Sequence, residues 1–121
     1  WTPERYLRHF QKLNNGIVVL TLGSKGAVVF DGDSMTSHKG FEVEVVDPVG
    51  AGDAFVAGFI ANIIRRYTPR QFMEINKTER CLILEDAIKI GNVCGAMTCT
   101  RRGDTSAMPT MGDVEQFLSN K

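Results

Sequence analysis

The sequence of 121 residues carries no excess of charge, since 14 Lys and Arg residues balance 14 Asp and Glu residues. A balanced surface creates no net field that would attract nucleic acid or an anionic membrane, so we expect neither as a partner. The chain also lacks the run of about 18 apolar residues that a membrane-spanning helix needs, and it shows no signal peptide.

Cysteine is scarce as well. The three cysteines are an odd number and form no Cys-x-x-Cys pair, which is typical of reduced thiols and predicts a cytoplasmic protein. The chain has no initial Met and opens directly into a helical pattern, which is typical of a fragment.

Glycines and prolines divide the chain into alternating helices and strands. The apolar run at 17–22 is typical of a strand buried on both faces, whereas the alternating segment 41–46 predicts a half-exposed strand after a loop at 34–40. The predicted elements are a helix from Pro3 capped by Thr2, strands at 17–22, 27–30 and 41–46, and helices at 51–67, 79–97 and 111–120. The large apolar residues of 51–67 form one predicted stripe. This alternation favours a three-layer α/β/α arrangement.

The stretch GAGDAF at 50–55 places an acidic residue after three positions with almost no side chain. It is not a P-loop, because no Lys and hydroxyl follow, and it lacks the third glycine of the dinucleotide fingerprint. Its backbone amides would lie unobstructed at the positive end of a helix, where an anion binds well. Asp53 beside them could accept a proton from an attacking hydroxyl. A glycine turn with a capping Asp is the alternative, and the residues by themselves leave both open.

Three stretches, in order, resemble motifs of the ribokinase-like (PfkB-type) carbohydrate kinases. DPVGAGDAFVAGF at 47–59 resembles the signature D-[TP]-x-G-A-G-D-x-F-x-x-G. VVLTLGSKGAVVF at 18–30 resembles the strand–TLGxxG–strand segment of the ATP site, and NVCGAMTCTRRGDTSAMP at 92–109 resembles the late helix and its T-R-x-G loop. The resemblance covers nearly the whole chain. It implies a ribokinase-like α/β/α fold, of which residues 1–121 would be the C-terminal, nucleotide-binding part.

The resemblance also implies a reaction, the transfer of the γ-phosphoryl group of ATP, with Mg²⁺, to a hydroxyl of a small sugar or sugar acid. The residues that match the family's functional positions are Asp53 as catalytic base; Gly50, Ala51 and Gly52 as anion hole; Thr21, Gly23, Gly26 and Asn92 as nucleotide-binding residues; and Asp47, Val49 and Gly103 as the site where some members bind a monovalent cation such as K⁺.

The sequence also departs from the family. Members are much longer, and the family's N-x-x-E motif is absent from residues 1–20, so we expect no phosphorylation by this chain alone. The DPVGAGDAF form looks more like 2-keto-3-deoxygluconate kinases than like the DTTGAGD style of fructokinases and ribokinases. Fructose, ribose and nucleosides stay open as alternative substrates.

Two other classes of function also stay open, a non-catalytic nucleotide-binding module and an interaction domain. The retention of Asp53 argues against the first. Part of a sheet would expose strand edges, so we expect the fragment to self-associate as a homo-oligomer, to stay joined to the remainder, or to be poorly soluble. We interpret His9 and His38 as surface histidines.

Overall fold

The computed structural model describes residues 2–45, 49–100 and 110–120, which form five α-helices and one three-stranded sheet. In chain order the elements are α1 (Pro3–Asn14), β1 (Val18–Thr21), β2 (Ala27–Phe30), β3 (Met35–His38), α2 (Ala51–Ile64), α3 (Pro69–Glu74), α4 (Lys77–Cys99) and α5 (Met111–Ser119). A short 3₁₀ turn, Gly23–Lys25, joins β1 to β2. Among the helices of the described ranges, we find none whose length and hydropathy suit a membrane crossing.

Side-chain caps begin most of the helices. The Oγ1 atom of Thr2 accepts a hydrogen bond from the backbone N of Arg5, as predicted for α1. Three further helices begin in the same way, α3 at Thr68, α4 at Asn76 and α5 at Thr110. The helices predicted at 79–97 and 111–120 are therefore confirmed with small shifts of their ends, whereas the one predicted at 51–67 already ends at Ile64.

The sheet has the strand order β1-β2-β3, and both pairings are antiparallel, with Leu20 opposite Val28 and Val29 opposite Thr36. The strand predicted at 17–22 is present as β1, but the prediction that it is buried on both faces is wrong. Among the described strands β1 has β2 as its one neighbour, and its side chains are half-buried or exposed. An apolar composition alone does not distinguish an edge strand from a central one.

The third strand lies earlier than predicted. Residues 35–38, which we expected in a loop, form β3, while residues 41–45 form no strand. The alternating side chains of 41–45 are alternately half-buried and exposed up to Glu44, so the pattern marks an extended segment. A strand also needs a hydrogen-bonded neighbour, and β2 pairs instead with the polar segment Met35–His38.

The sheet separates two helical layers. Val29 and Phe30 are both buried although successive strand residues point to opposite faces, so both faces of β2 are covered. Phe30 faces α1, where the guanidinium of Arg8 lies 5.2 Å from its ring centroid. Val29 joins the hydrophobic core formed with α2 and α4, which includes Phe55 and Leu84. This arrangement confirms the α/β/α layering expected from the sequence.

The predicted apolar stripe of α2 divides into two faces. Phe55, Phe59 and Ile63 are buried against α4, but Val56, Ile60 and Ile64 are 51%, 46% and 55% exposed. Each exposed residue follows a buried one, and successive helical residues point about 100° apart. The expectation of a single stripe is therefore wrong for the outer three residues.

Glycines allow α2 and α4 to approach closely. A Cβ atom at Gly91 of α4 would lie 2.8 Å from the Phe55 ring and 3.1 Å from the Phe55 carbonyl oxygen. A Cβ atom at Gly58 of α2 would lie 2.7 Å from the Cys94 sulfur. The backbone carbonyl cannot move aside as a side chain can, so Gly91 is the more restrictive of the two positions.

We predict that Gly91→Ala lowers the free energy of unfolding by about 1–3 kcal/mol, because the added methyl group overpacks the contact with Phe55. Gly112→Ala in α5 is the matched control, since its Cβ would meet only the Thr110 hydroxyl, at 3.7 Å. The control should be neutral or slightly stabilising, as alanine favours helices more than glycine does. Urea unfolding measures both, and equal effects would contradict the assigned packing.

A buried ion cluster joins α4 to the turn between β2 and β3. Arg80 Nε donates to Asp31 Oδ2 over 2.9 Å, and Arg80 Nη2 donates to Asp33 Oδ2 over 3.0 Å. The other carboxylate oxygen of Asp31 accepts the backbone N–H groups of Asp33 and Ser34. Burial by itself would raise the pKa of Asp31, but the Ser34 amide, Arg80 and the Asp33 amide together hold that pKa below its usual value.

This cluster should make stability sensitive to acid. The pKa of Asp31 is lower in the folded state than in the unfolded chain. Its stabilising contribution is therefore complete above about pH 4 and is lost as the pH falls through the folded-state pKa. We predict that Asp31→Asn reduces stability at neutral pH and flattens its decline in acid, as measured by thermal unfolding between about pH 2 and pH 7.

Two arginine variants test the same cluster at neutral pH. Arg80→Met leaves a buried carboxylate unpaired and should cost about 3–5 kcal/mol. Arg70→Met removes the exposed pair with Glu74 and should cost less than about 1 kcal/mol. Similar losses in the two variants would show that the buried cluster contributes no more than a surface pair.

Candidate functional site

A cavity of about 370 Å³ opens where the turn after β1, the segment 40–45, the start of α2 and the last third of α4 meet. Its wall is mainly apolar, with Phe41, Val43, Val45 and Phe55 among its large side chains. Six of the residues singled out from the sequence line it, namely Thr21, Gly23, Gly26, Ala51, Gly52 and Asn92. The fold thus brings together the three motifs that are far apart along the chain.

The start of α2 offers backbone N–H groups without a competing side chain. Gly50 is the N-cap residue and has a left-handed backbone with φ of 83°, a conformation that favours glycine. Gly50 offers no side chain to cap this helix, in contrast to the N-cap residues of the four other described helices. A Cβ atom at Gly52 would meet nothing within 4 Å. The predicted anion hole therefore lies at an open, uncapped helix N-terminus.

Asp53 occupies the third position of α2 and is exposed to solvent. Its neighbours Ala51 and Gly52 line the cavity, whereas Asp53 is not among the lining residues. The alternative that Asp53 stabilises the start of α2 stays open, because a carboxylate in the first turn of a helix interacts favourably with the helix dipole. Asp53 is thus an exposed carboxylate in the first turn of an uncapped helix.

The turn after β1 depends on glycine at two positions with positive φ, Gly23 at 59° and Gly26 at 89°. The backbone N of Leu22 donates to the carbonyl oxygen of Gly26 over 2.8 Å and closes the turn. A Cβ atom at Gly26 would overlap the His38 carbonyl oxygen and lie 2.7 Å from the Gly40 nitrogen. Gly26 therefore allows this turn to rest directly on the end of β3.

We predict that Gly26→Ala destabilises the protein more than Gly23→Ala does. Both substitutions strain a left-handed backbone, at about 1–3 kcal/mol. At Gly23 the space around the added methyl group is open, whereas at Gly26 the methyl group would also push against the backbone of 38–40. Urea unfolding of the two variants measures the difference, and a smaller loss for Gly26→Ala would contradict the close approach.

Asn92 and His38 meet at the cavity wall. The side-chain nitrogen Nδ2 of Asn92 lies 3.0 Å from His38 Nδ1, which also accepts the backbone N–H of Gly40 over 3.0 Å. The interpretation of His38 as a surface histidine is wrong, since the ring is half-buried and linked to a cavity residue. The sequence offered no signal for this pair, because 54 positions separate its members.

The predicted monovalent-cation site is only partly visible. Asp47 and Gly103 lie outside the described residues, while Val49 lies just before α2 and is exposed. Within residues 2–45, 49–100 and 110–120, no three His, Cys, Asp or Glu side chains group together as metal ligands would.

Comparison with known proteins agrees with the family that the three sequence motifs resemble. Residues 1–111 match the pfkB family carbohydrate kinases. The chain is 40% identical over 105 residues to an ATP-dependent ribose-1-phosphate kinase of Halopiger xanaduensis, a match that covers 87% of this chain and 30% of the relative.

Two solved structures share the fold. The ribokinase of Thermotoga maritima superposes with a TM-score of 0.78 at 28% identity, over 99% of this chain and 35% of that one. The fructokinase of Vibrio cholerae, solved with fructose, ADP and calcium bound, superposes with a TM-score of 0.76 at 30% identity, over 98% of this chain and 35% of that one.

The chain belongs to the pfkB family of carbohydrate kinases. The ribokinase-like α/β fold expected from its motifs is confirmed. The chain spans about a third of the length of the relatives that it matches.

Proposed function

We propose that residues 1–121 are the nucleotide-binding half of an ATP-dependent kinase that phosphorylates a hydroxyl of a sugar or sugar acid. The observation that carries this proposal is the cavity that joins the glycine turn at 23–26 to the uncapped start of α2. One wall suits a planar apolar group, and the other end is the N-terminus of a helix, whose backbone amides can bind an anion. A nucleoside triphosphate combines these two chemistries in one molecule.

The base would occupy the apolar part of the cavity. Phe41, Val43 and Phe55 supply apolar surface, and Asn92 supplies a polar group that can orient a ligand. Ligand sites of this kind consist mostly of apolar wall with a few polar groups that determine orientation. The volume of about 370 Å³ lies within the range of small-molecule sites.

The transferring phosphoryl group would lie at the start of α2. The backbone N–H groups of 51–53 would donate to its oxygens and stabilise charge as it develops. Asp53 would accept the proton of the attacking hydroxyl, so the nucleophile becomes more reactive as the bond to phosphorus forms. Mg²⁺ would accompany the ATP phosphates and neutralise part of their charge, and the described residues supply no ligand cluster of their own for it.

For the acceptor we propose 2-keto-3-deoxygluconate, on the strength of the Pro-Val pair within DPVGAGDAF. Fructose or ribose is the second candidate, favoured by the related fructokinase and ribokinase structures. Turnover measured side by side with 2-keto-3-deoxygluconate, fructose, ribose and adenosine, in the complete protein that carries this chain, separates these acceptors. Preference for another sugar would leave the phosphoryl transfer in place and remove the acceptor assignment.

We predict that Asp53→Asn lowers kcat by about 10²–10⁴-fold, because the amide cannot take the proton of the hydroxyl. The dissociation constant for ATP should change little, since the backbone amides would make the phosphate contacts. Glu115→Gln on α5, also exposed, is the matched control and should keep full activity. Both variants are compared by steady-state kinetics and calorimetry on the complete protein.

Unchanged turnover in Asp53→Asn would overturn the role of this carboxylate. ATP binding without turnover of any acceptor in the unmutated protein would favour the non-catalytic nucleotide-binding module. Absence of ATP binding would favour the interaction domain.

A further inference from the structure

His38 receives two hydrogen bonds at one ring nitrogen. The backbone N of Gly40 lies 3.0 Å from Nδ1, and a backbone N–H can only donate. Nδ1 must therefore carry the lone pair, and in the neutral ring the proton resides on Nε2. The tautomer of His38 follows from this single contact.

The tautomer determines which way the Asn92 amide points. One end of that amide lies 3.0 Å from His38 Nδ1 and 3.5 Å from the His38 carbonyl oxygen. Both of these atoms are acceptors, so the end that faces them must be the NH₂ group. The reverse orientation would place the amide oxygen against two lone pairs. The oxygen Oδ1 is therefore the end of the amide that does not face His38, on a residue that lines the cavity.

Aromatic packing holds the His38 ring in this position. The centroid of the ring lies 5.2 Å from that of Phe41, whose side chain lines the cavity. Phe41 in turn meets Phe117 of α5 edge-to-face, with centroids 5.4 Å apart. The ring is thus supported from the side as well as by its two hydrogen bonds.

We propose that His38 is a positioning residue that fixes Asn92 as a hydrogen-bond acceptor and thereby selects a nucleotide base with an amino donor. This inference rests on the proposed nucleotide site and specifies its base. Adenine carries a 6-amino group that can donate to Asn92 Oδ1. Hypoxanthine, the base of inosine triphosphate (ITP), carries a carbonyl oxygen at that position, which would face the amide oxygen.

Protonation of His38 should abolish the preference for adenine over hypoxanthine. A cationic ring has an N–H at Nδ1, which would face the N–H donors of Gly40 and Asn92 and could not hold the Asn92 amide in place. Burial lowers the pKa of His38 below its usual value, and the charges of Lys89 and Lys39 lower it further, while Glu85 opposes them. These three charged groups lie on α4 and directly after β3. The ring should therefore stay neutral at neutral pH and lose its acceptor only in acid.

Two substitutions separate the effect of a hydrogen-bond acceptor at position 38 from the effect of the shape of the imidazole ring. His38→Asn places an oxygen at the same distance from the backbone as Nδ1 and cannot titrate, whereas His38→Leu offers no acceptor. His9→Leu on the exposed face of α1 is the matched control. Calorimetry on the complete protein would measure binding of ATP and ITP at about pH 7.5 and at an acid pH at which the ¹⁵N shifts show the His38 ring protonated.

We expect the unmutated protein and His9→Leu to bind ATP about 10- to 100-fold more tightly than ITP near neutral pH, and to lose that preference in acid. His38→Asn should keep the preference at both pH values, and His38→Leu should lose it at both. An unchanged preference in His38→Leu would overturn the inference, as would an equally pH-dependent preference in His38→Asn.

The ¹⁵N chemical shifts of the His38 ring provide a readout that needs no nucleotide. An unprotonated Nδ1 near neutral pH supports the assigned tautomer, and a protonated Nδ1 overturns the inference whatever the binding data show. If the protein binds neither ATP nor ITP, the proposed function is contradicted, and the inference that the site selects a nucleotide base fails with it. The ring shifts would then still decide whether His38 orients Asn92.

Discussion

The close packing of α2 against α4 is the constraint on which the rest of the molecule depends. Phe55 lies over Gly91, and a Cβ atom at Gly95 would come within 3.2 Å of the Ala51 carbonyl oxygen, so the start of α2 rests directly on α4. Because Gly91 and Gly95 of α4 carry no side chain, the Phe55 ring and the backbone of α2 can lie directly against α4. The uncapped amides of α2 therefore have a defined position relative to Asn92.

The helix α4 connects this packing to the sheet at both of its ends. Near its beginning, Arg80 forms the buried cluster with Asp31 and Asp33 at the turn after β2. About three turns later, Asn92 hydrogen-bonds to His38 at the end of β3. Two separate polar contacts thus hold the short hairpins against one long helix. The cavity wall is formed where the second of these contacts meets the start of α2.

Most of the correct predictions rest on residues that are close together in the sequence. The Thr2 cap, the apolar strand at 27–30 and the helix predicted at 79–97 depend on residues within one or two turns of each other, so the sequence indicates them directly. The strand prediction is wrong for residues 41–45 because strand formation depends on a distant partner. The alternating pattern is present, but β2 pairs with the polar residues 35–38 instead. The periodicity of a segment indicates which of its sides is buried, but it does not indicate with which strand the segment forms hydrogen bonds.

The sequence by itself determined the family, four of the five described helices and the glycine positions of the candidate site. These properties reside in short motifs, in which each residue type suits a local backbone geometry, such as the left-handed Gly50 before α2. Tertiary structure alone decided that β1 pairs with one strand of the described sheet, that half of the α2 stripe is exposed, and that His38 contacts Asn92 across 54 positions. Such features arise from contacts between residues that are far apart in the chain, and no local pattern encodes them.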